Sequence, residues 1–299
     1  MNFRRKEYST HSSNHVESIL MTFPLDHIVI NTLFDMDRAA ALMERLGFTV
    51  TPRGYHSLGS INHLMVFEGG YLELIGLPLG TDVLRRDVLE SPLGLNGLVF
   101  QAKEVDAIIG PLRDSGLAML PPQDFSRPAT IDGVEQLVRF RTTRTAPELF
   151  AAGRVYYCQH YTPELVWRRE WMTHANGCSG LRELVVVTSA IETDAPLYAK
   201  AAQAAAKQRE TDVWTIDLID SFRVTLLSPA RYRQRYGELC VEANDRSSFF
   251  GAIVLKADDL GRIRDVDAPL PELRSKASDH SLVLLAPFLN TLFEFRNDR

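Results

Sequence analysis

The chain has 299 residues, more than one typical hydrophobic core accommodates and about enough for two domains. Hydrophobic residues make up 45% and charged residues 24%, as in ordinary globular proteins. The formal net charge of −5 argues against a basic nucleic-acid-binding surface. Apolar runs such as residues 282–287 are far shorter than the roughly 20 residues of a membrane-spanning helix. We therefore expect neither nucleic acid nor a membrane as a partner.

Cysteine usage and the N-terminal segment bear on localisation. The three cysteines, Cys158, Cys178 and Cys240, show no metal-ligand spacing and cannot all pair, which favours a reducing, cytoplasmic compartment. Residues 1–21 lack the apolar stretch and cleavage site of a signal peptide. We interpret them as a flexible extension, with Met21 as a possible true start of the protein.

The segment from Leu25 to Leu77 reads as one β-α-β-β-β unit. A first apolar strand, residues 25–30, is followed by a helix that Asp35 caps and Gly47 ends. Three further strands are expected over residues 48–51, 62–67 and 71–75, the last two joined through a Gly-Gly turn.

The same order recurs three more times, with less regular patterns. A second unit starts at Gly97, and its residues 120–132 are interpreted as a loop because they are rich in proline and polar residues. A third unit starts near Leu184, with a helix beginning near Asp194, and a fourth near Ile253. We expect an N-terminal extension, a two-module domain, a linker and a second, degenerate pair of modules, with these bounds: 1–21, 22–165, 166–180 and 181–299.

The first unit resembles the glyoxalase-like domain family of the vicinal oxygen chelate superfamily. The resemblance is carried by residues 25–30 (LDHIVI), 46–50 (LGFTV), 59–62 (GSIN), 71–75 (YLELI) and 157–167 (YCQHYTPELVW). It implies an α+β fold of repeated βαβββ modules, in which paired modules form cup-shaped mixed sheets. It also implies a divalent metal ion (Zn, Mn, Ni or Fe) at the base of the cup, held by His and Glu side chains of the first and last strands.

His27 and Glu73 are the first candidates for such a site. The resemblance places His27 on the first strand as a metal ligand, and Glu73 on the fourth strand as a ligand or catalytic base. A carboxylate within the apolar strand around Glu73 is costly to bury unless it is paired or bound to a metal. The alternatives are a hydrogen-bonded core histidine and a glutamate on the solvent face of an edge strand.

The second module departs from the family pattern. Gly97 stands at the position that corresponds to His27, and the closing strand offers Gln159 and His160 in place of a glutamate. We consider His160 as a third ligand and Gln159 as a substrate contact, although a one-residue slip in register would turn either to the opposite face. The metal would then have two histidines and a carboxylate, or an open position for water or substrate, or would be absent.

Four further residues are candidates for catalysis or substrate contact. His56 lies in a loop, where it can act as an acid or base in catalysis. Asn62, His63 and Trp167 are candidate substrate contacts, with turn capping, surface exposure and packing as the respective alternatives. In the second half, Glu183 and Glu294 have no nearby histidine except His280, so we expect a scaffold or dimer surface there and no second metal site.

These patterns leave three functions open. The first is a metal-dependent enzyme acting on a small carbonyl or vicinal-oxygen compound, as a lyase or isomerase or, with iron, a dioxygenase. The second is a metal-free protein that binds or sequesters a small molecule on the same fold. A purely structural role is the third and least supported. Both monomer and homodimer fit four modules in one chain.

Overall fold

Two eight-stranded mixed sheets form the framework of the protein. The computed structural model describes residues 22–82, 84–264 and 272–297, so the predicted extension over residues 1–21 lies outside the described part. The first sheet has the strand order β2-β3-β4-β1-β5-β8-β7-β6 and the second β10-β11-β12-β9-β13-β16-β15-β14. Each is built from two βαβββ modules, which confirms the α+β class of paired modules predicted from the sequence.

The first sheet contains modules one and two. Their elements are β1 (Leu25–Leu33), α1 (Met36–Arg45), β2 (Gly54–Tyr55), β3 (Ile61–Phe67), β4 (Gly70–Gly76), a connecting α2 (Arg86–Leu89), β5 (Gly94–Gln101), α3 (Val105–Asp114), β6 (Gln123–Ile131), β7 (Val134–Arg144) and β8 (Arg154–His160).

The second sheet contains modules three and four. Their elements are β9 (Cys178–Thr188), α4 (Ile191–Ala202), β10 (Ala206–Glu210), β11 (Val213–Asp217), β12 (Arg223–Leu227), a connecting α5 (Pro229–Tyr236), β13 (Ser248–Ala257), α6 (Gly261–Arg264), β14 (Arg274–Ala277), β15 (Ser281–Ala286) and β16 (Thr291–Arg296). Within the described ranges, no helix combines the length and apolar composition that crossing a membrane requires.

The convex faces of the two sheets share one hydrophobic core. Alternate residues of β1, such as Ile28 and Ile30, pack in the same cluster as Leu184 and Val186 of β9 and the buried faces of α1 and α4. The Tyr157 hydroxyl donates a hydrogen bond to the carbonyl of Ala201 across this core, at 2.8 Å. The concave faces carry two separate clusters, one for each sheet. Nearly every residue of β1 is therefore buried, since one side faces the shared core and the other faces a cup.

The segment interpreted as a loop over residues 120–132 was predicted wrongly. Residues Gln123–Ile131 form β6, which pairs antiparallel with β7 over its whole length. Pro128 is tolerated because β6 is the edge strand of the sheet, where no second neighbour needs its missing N–H group. The helix of the third module also differs, because it begins at Ile191 and places Pro196 in its interior.

The cup of the second sheet is filled by its own helix. Tyr232 and Tyr236 of α5 are buried in the concave cluster of this sheet. Arg235 reaches between two buried carboxylates, 2.8 Å from Glu183 and 2.8 Å from Glu294. The Tyr236 hydroxyl donates a further hydrogen bond to Glu294, at 2.7 Å. This half of the molecule thus satisfies its buried carboxylates internally.

Candidate active site

A pocket lies in the cup of the first sheet. Polar side chains from β1, β3, β4, β6, β7 and β8 and from the loops before β3 and α2 meet there, over the apolar floor of the cup. The polar and charged lining residues are His27, His56, Asn62, Tyr71, Glu73, Arg85, Gln123, Arg127, Thr142, Arg144, Arg154, Tyr156 and Cys158.

His27 stands at the base of this pocket. Its Nδ1 lies 2.5 Å from Oδ1 of Asp26, and its ring stacks on Tyr71 with the ring centroids 4.4 Å apart. Its Nε2 lies 3.6 Å from Oε2 of Glu73 and 3.3 Å from the hydroxyl of Tyr156. The carboxylate behind the ring fixes its orientation and directs Nε2 towards the pocket.

Asp26 is a site residue that the sequence analysis missed. Strict alternation along β1 would put it on the face opposite to His27, but the β1–β5 pairing is irregular between Leu25 and His27. The fully buried carboxylate therefore contacts both His27 and His160, whose Nε2 lies 3.0 Å from Oδ2. Burial raises the pKa of Asp26, but the two histidines lower it by more than burial raises it. The net shift is downward, so the carboxyl group is ionised at neutral pH.

Glu73 shares the face of Tyr71 and Ile75, as its strand position predicted. It is 6% exposed, and its Oε1 accepts a hydrogen bond of 2.7 Å from Nδ2 of Asn62. Its other oxygen faces His27. His27 and Glu73, the first two predicted metal ligands, are thus neighbours in the cup.

His56 and Asn62 also line the pocket. Nδ1 of His56 lies 2.9 Å from the hydroxyl oxygen of Ser60. Burial, with the charges of Arg85 and Arg127, lowers the pKa of His56 well below its ordinary value. Its imidazole is therefore neutral at pH 7 and can accept a proton or a hydrogen bond.

The remaining predicted residues lie away from the His27–Glu73 pair. His160 contacts Asp26 and packs against Trp167, with the ring centroids 4.8 Å apart, outside the pocket lining. His63 contacts the Thr51 carbonyl through Nδ1, at 2.7 Å. Gln159 accepts a hydrogen bond from the N–H of Val105 at the start of α3.

Strand register shows which residues of the second module correspond to the ligand positions of the first. The pairing of β1 and β5 has one extra residue at Asp26 on β1 and one at Asn96 on β5, so Asn96 is the counterpart of Asp26 and Gly97 is the counterpart of His27. Glu73 lies beside Val29, and Tyr156 lies beside Val99 in the same way. Tyr156 is therefore the counterpart of Glu73, and burial raises its pKa so that it stays a neutral hydrogen-bonding group.

Four arginines of the pocket were also missed by the sequence analysis. Arg127, Arg144 and Arg154 come from three different strands and Arg85 from the loop before α2, so no spacing in the sequence joins them. Arg127 moreover lies in the segment that was interpreted as a loop. The alternation of Arg154, Tyr156 and Cys158 along β8 was the one available signal, since residues two apart share a face.

A family model described as a glyoxalase-like domain matches residues 25–202, which is more than half of the chain. The chain belongs to the glyoxalase-like domain family. The match covers the whole first sheet, including the cup, and extends through α4 of the third module. No curated protein matches the sequence.

Solved structures share the glyoxalase-like fold at low sequence identity. A hypothetical protein from Staphylococcus aureus superposes with a TM-score of 0.64 at 11% identity, covering 91% of this chain and 98% of its own. A variant of 4-hydroxymandelate synthase from Streptomyces coelicolor gives a TM-score of 0.55 at 12% identity, covering 93% of both chains. A fusion protein of a xylose isomerase-like barrel with 4-hydroxyphenylpyruvate dioxygenase gives 0.57 at 12% identity, covering 92% of this chain and 49% of its own. These similarities extend the vicinal oxygen chelate fold over both sheets.

Proposed function

We propose that this glyoxalase-like protein is a metal-dependent enzyme that acts on a small carbonyl or vicinal-oxygen compound, as a lyase or isomerase or, with iron, a dioxygenase. The observation that carries the proposal is the pair of buried donors at the base of the cup. His27 Nε2 and Glu73 Oε2 lie 3.6 Å apart on one face of the sheet, each directed at the other. Imidazole nitrogen and carboxylate oxygen are ordinary ligands of Zn, Mn, Ni and Fe.

The surroundings of these two donors fit a metal ion. Asp26 binds the far nitrogen of His27, and Asn62 binds the far oxygen of Glu73. Such partners orient ligands and commonly accompany them in metal sites. Two protein ligands leave room for substrate oxygens and water, with the Tyr156 hydroxyl adjacent to His27. The proposed role of His160 is indirect, through its contact with Asp26.

A second group of possible ligands fits a metal less well. Among the described residues, Asp26, Cys158 and His160 bring three ligand atoms within 4.8 Å of one another. Burial, with the charges of Asp26 and Glu73, raises the pKa of Cys158 well above its usual range, so this thiol stays protonated. Asp26 is already bound to both histidines. We therefore place the metal at His27 and Glu73.

The residues of the cup divide the remaining work. When bound, a divalent ion would polarise a substrate carbonyl and stabilise negative charge on its oxygen. Glu73 could hold or move a proton at the substrate carbon next to that carbonyl. Neutral His56 could do the same from the rim of the pocket. Asn62 keeps Glu73 in place and can contact the substrate. The Tyr156 hydroxyl can donate a hydrogen bond to a developing oxyanion.

Metal analysis tests the proposal. After reconstitution with Zn, Mn, Ni or Fe(II), the untagged protein should contain about one ion per chain by plasma mass spectrometry, as expected for one site. The His27→Ala and Glu73→Gln variants should lose it, while His280→Ala, an exposed histidine in the second half, should not. An ion retained in the first two variants but lost in His160→Ala would place the metal at the Asp26–Cys158–His160 group and contradict the proposal.

Asp26→Asn gives a finer prediction. The asparagine keeps the shape of the side chain but loses the negative charge behind His27, so metal affinity should fall by about 10- to 100-fold. Asp106→Asn is a matched control, because that exposed carboxylate pairs with Arg141 on the surface. Titration with a competing chelator measures both affinities. Equal affinities in the two variants would mean that Asp26 has no part in the site.

A metal-free binding protein is the second candidate. The observation in its favour is the charge of the cup, whose lining has four arginines and one glutamate, with the carboxylate of Asp87 shared by three of the arginines. A dication is disfavoured there unless further negative charge accompanies it. Wild-type protein that takes up none of the four metals would make this candidate the better one.

A further inference from the structure

Arg127 is a buried cation, and two of its donor nitrogens have no hydrogen-bond partner among the described residues. The residue lies on β6 and lines the pocket, yet it is only 3% exposed. Its Nε and Nη2 atoms are buried and have no hydrogen-bond partner. Burying a guanidinium group without partners is costly, so a structural role for this side chain would be expected to supply them.

The backbone opposite Arg127 leaves space for it. A Cβ atom at Gly54 would lie 2.7 Å from Cδ of Arg127 and 2.3 Å from Oδ1 of Asn62. Only glycine at this position therefore allows the arginine to cross the neighbouring strand alongside Asn62. The side chain reaches the environment of Tyr71 and Glu73, and the electrostatic influence of these two residues partly offsets the lowering of its pKa by burial.

A second arginine of the pocket shows what the open edge of Arg127 can bind. Arg85 donates from Nε and Nη2 to the two carboxylate oxygens of Asp87, at 2.9 and 3.0 Å. Arg144 and Arg154 also bind Asp87, at 2.7 and 3.2 Å. Three of the four guanidinium groups thus share one carboxylate. The corresponding edge of Arg127, formed by the same two nitrogens, makes no hydrogen bond to a carboxylate among the described residues.

We propose that Arg127 binds a carboxylate group of the substrate through its Nε and Nη2 atoms. This inference rests on the proposed function, because it names the class of compound that enters the same cup. A planar group with two oxygens and one negative charge fits this edge in the two-point manner of Arg85 and Asp87. The substrate would then hold its carboxylate at Arg127 while the rest of the molecule extends towards His27 and Glu73.

The charge of the cup agrees with an anionic substrate. Glu73 is the one acidic residue among the pocket-lining residues, and the nearby carboxylate of Asp87 is already shared by three of the pocket's arginines. A substrate carboxylate would provide the negatively charged partner that Arg127 lacks. It would also offset the positive charge of a divalent ion at His27 and Glu73. Loading of the metal and binding of the carboxylate should therefore support each other.

The test uses the full chain stripped of metal with a chelator, and propionate as the probe. Propionate has no second donor beside its carboxylate, so its binding does not depend on chelation. Calorimetric titration should show saturable binding that weakens at least about tenfold in Arg127→Met and less in Arg127→Lys, which keeps the charge but not the two-point geometry. Arg209→Met, an exposed arginine of the second sheet, should bind like wild type. Inorganic phosphate is titrated in parallel.

Thermal unfolding without anions provides a second readout. Arg127→Met should unfold at a higher temperature than wild type, because the variant no longer buries an unpaired charge. A lower unfolding temperature together with unchanged propionate binding would identify Arg127 as structural and overturn the inference. If phosphate bound more tightly than propionate, and this binding depended on Arg127, the group recognised by Arg127 would be a phosphate and the proposed carboxylate would be wrong. Metal uptake without propionate binding would overturn this inference alone, whereas propionate binding without metal uptake would overturn only the metal site.

Discussion

Replacing Arg235 by alanine should lower the free energy of unfolding by about 3–5 kcal/mol at pH 7, because it leaves the buried carboxylate of Glu183 without its cation and removes one of the two cations that contact Glu294. Arg235 lies between Glu183 and Glu294, which are 6% and 3% exposed. Glu294 keeps the hydroxyl of Tyr236 and Nε of Arg296 as hydrogen-bond partners, whereas Glu183 loses its ion pair. Urea denaturation of the two proteins measures the difference.

The destabilisation caused by Arg235→Ala should become smaller as the pH falls. Burial raises the pKa of Glu183, but the opposing influence, chiefly that of Arg235, is larger. The net shift in the folded wild type is therefore downward from 4.5. The stabilisation that this pair provides is therefore present above pH 4.5 and is lost as pH falls through the lowered pKa. Without Arg235, the largest influence that opposes burial is lost, although the Thr225 side chain and the charge of Arg296 still act, so the pKa of Glu183 should rise. The variant is therefore most destabilised relative to the wild type at neutral pH. The difference between the two proteins should shrink as pH falls from 7 towards 5.

Arg231→Ala is the matched control for this prediction. Arg231 lies on the same helix but pairs with Glu210 and Asp212, and its side chain is 33% exposed. Its loss should cost less than about 1 kcal/mol, as for other surface ion pairs. Similar losses in both variants would show that the charges in the second cup are accessible to water and not buried by α5.

Gly94→Ala should destabilise the protein by about 2–4 kcal/mol, because it combines backbone strain with a steric clash between the two sheets. Gly94 has a φ of +97°, which an alanine adopts only with strain. An added Cβ would lie 2.5 Å from the carbonyl oxygen of Asn290 and 3.0 Å from that of Leu289. These are backbone atoms of the second half, so a side-chain rotation cannot relieve the contact.

Gly69→Ala provides the comparison for Gly94→Ala. Gly69 lies in the turn between β3 and β4, and an added Cβ would meet no atom within 4 Å. Its replacement should change the free energy of unfolding by no more than about 0.5 kcal/mol. Thermal and urea unfolding of both variants measure the difference. An unaffected Gly94→Ala protein would mean that the two sheets separate easily at this contact.

The sequence was sufficient to predict the α+β class of paired modules because the first module carries local signals for most of its elements. The Gly-Gly turn, the helix ended by Gly47 and the apolar strand around His27 are local signals. Gly47 has a φ of +79°, as expected for a glycine that ends a helix. The pairing of His27 with Glu73 followed from the resemblance and from the shared face of their strands. The strand β6 was missed because Pro128 obscured its alternation, which only its position at the sheet edge explains.

The rest of the site depends on features that have no local signature. Asp26 reaches His27 and His160 only because the pairing of β1 and β5 is irregular at that point. Arg127 depends on space left by Gly54, which is 73 residues away in the sequence. The closure of the second cup by α5 depends on Arg235 meeting Glu183 and Glu294, each more than 50 residues distant. Contacts of this kind are set by the tertiary structure and not by spacing or composition.

The separation of the shared core from the two cups has a consequence for how this protein can change. The residues that hold the sheets together, such as Ile28 and Leu184, belong to a different cluster from those that line either cup. The same shared core therefore supports two different cups. The first holds an open charged pocket, and the second is filled by α5 and its buried ion pairs. New chemistry can arise by exchanging cup residues alone, while the inherited scaffold keeps its packing.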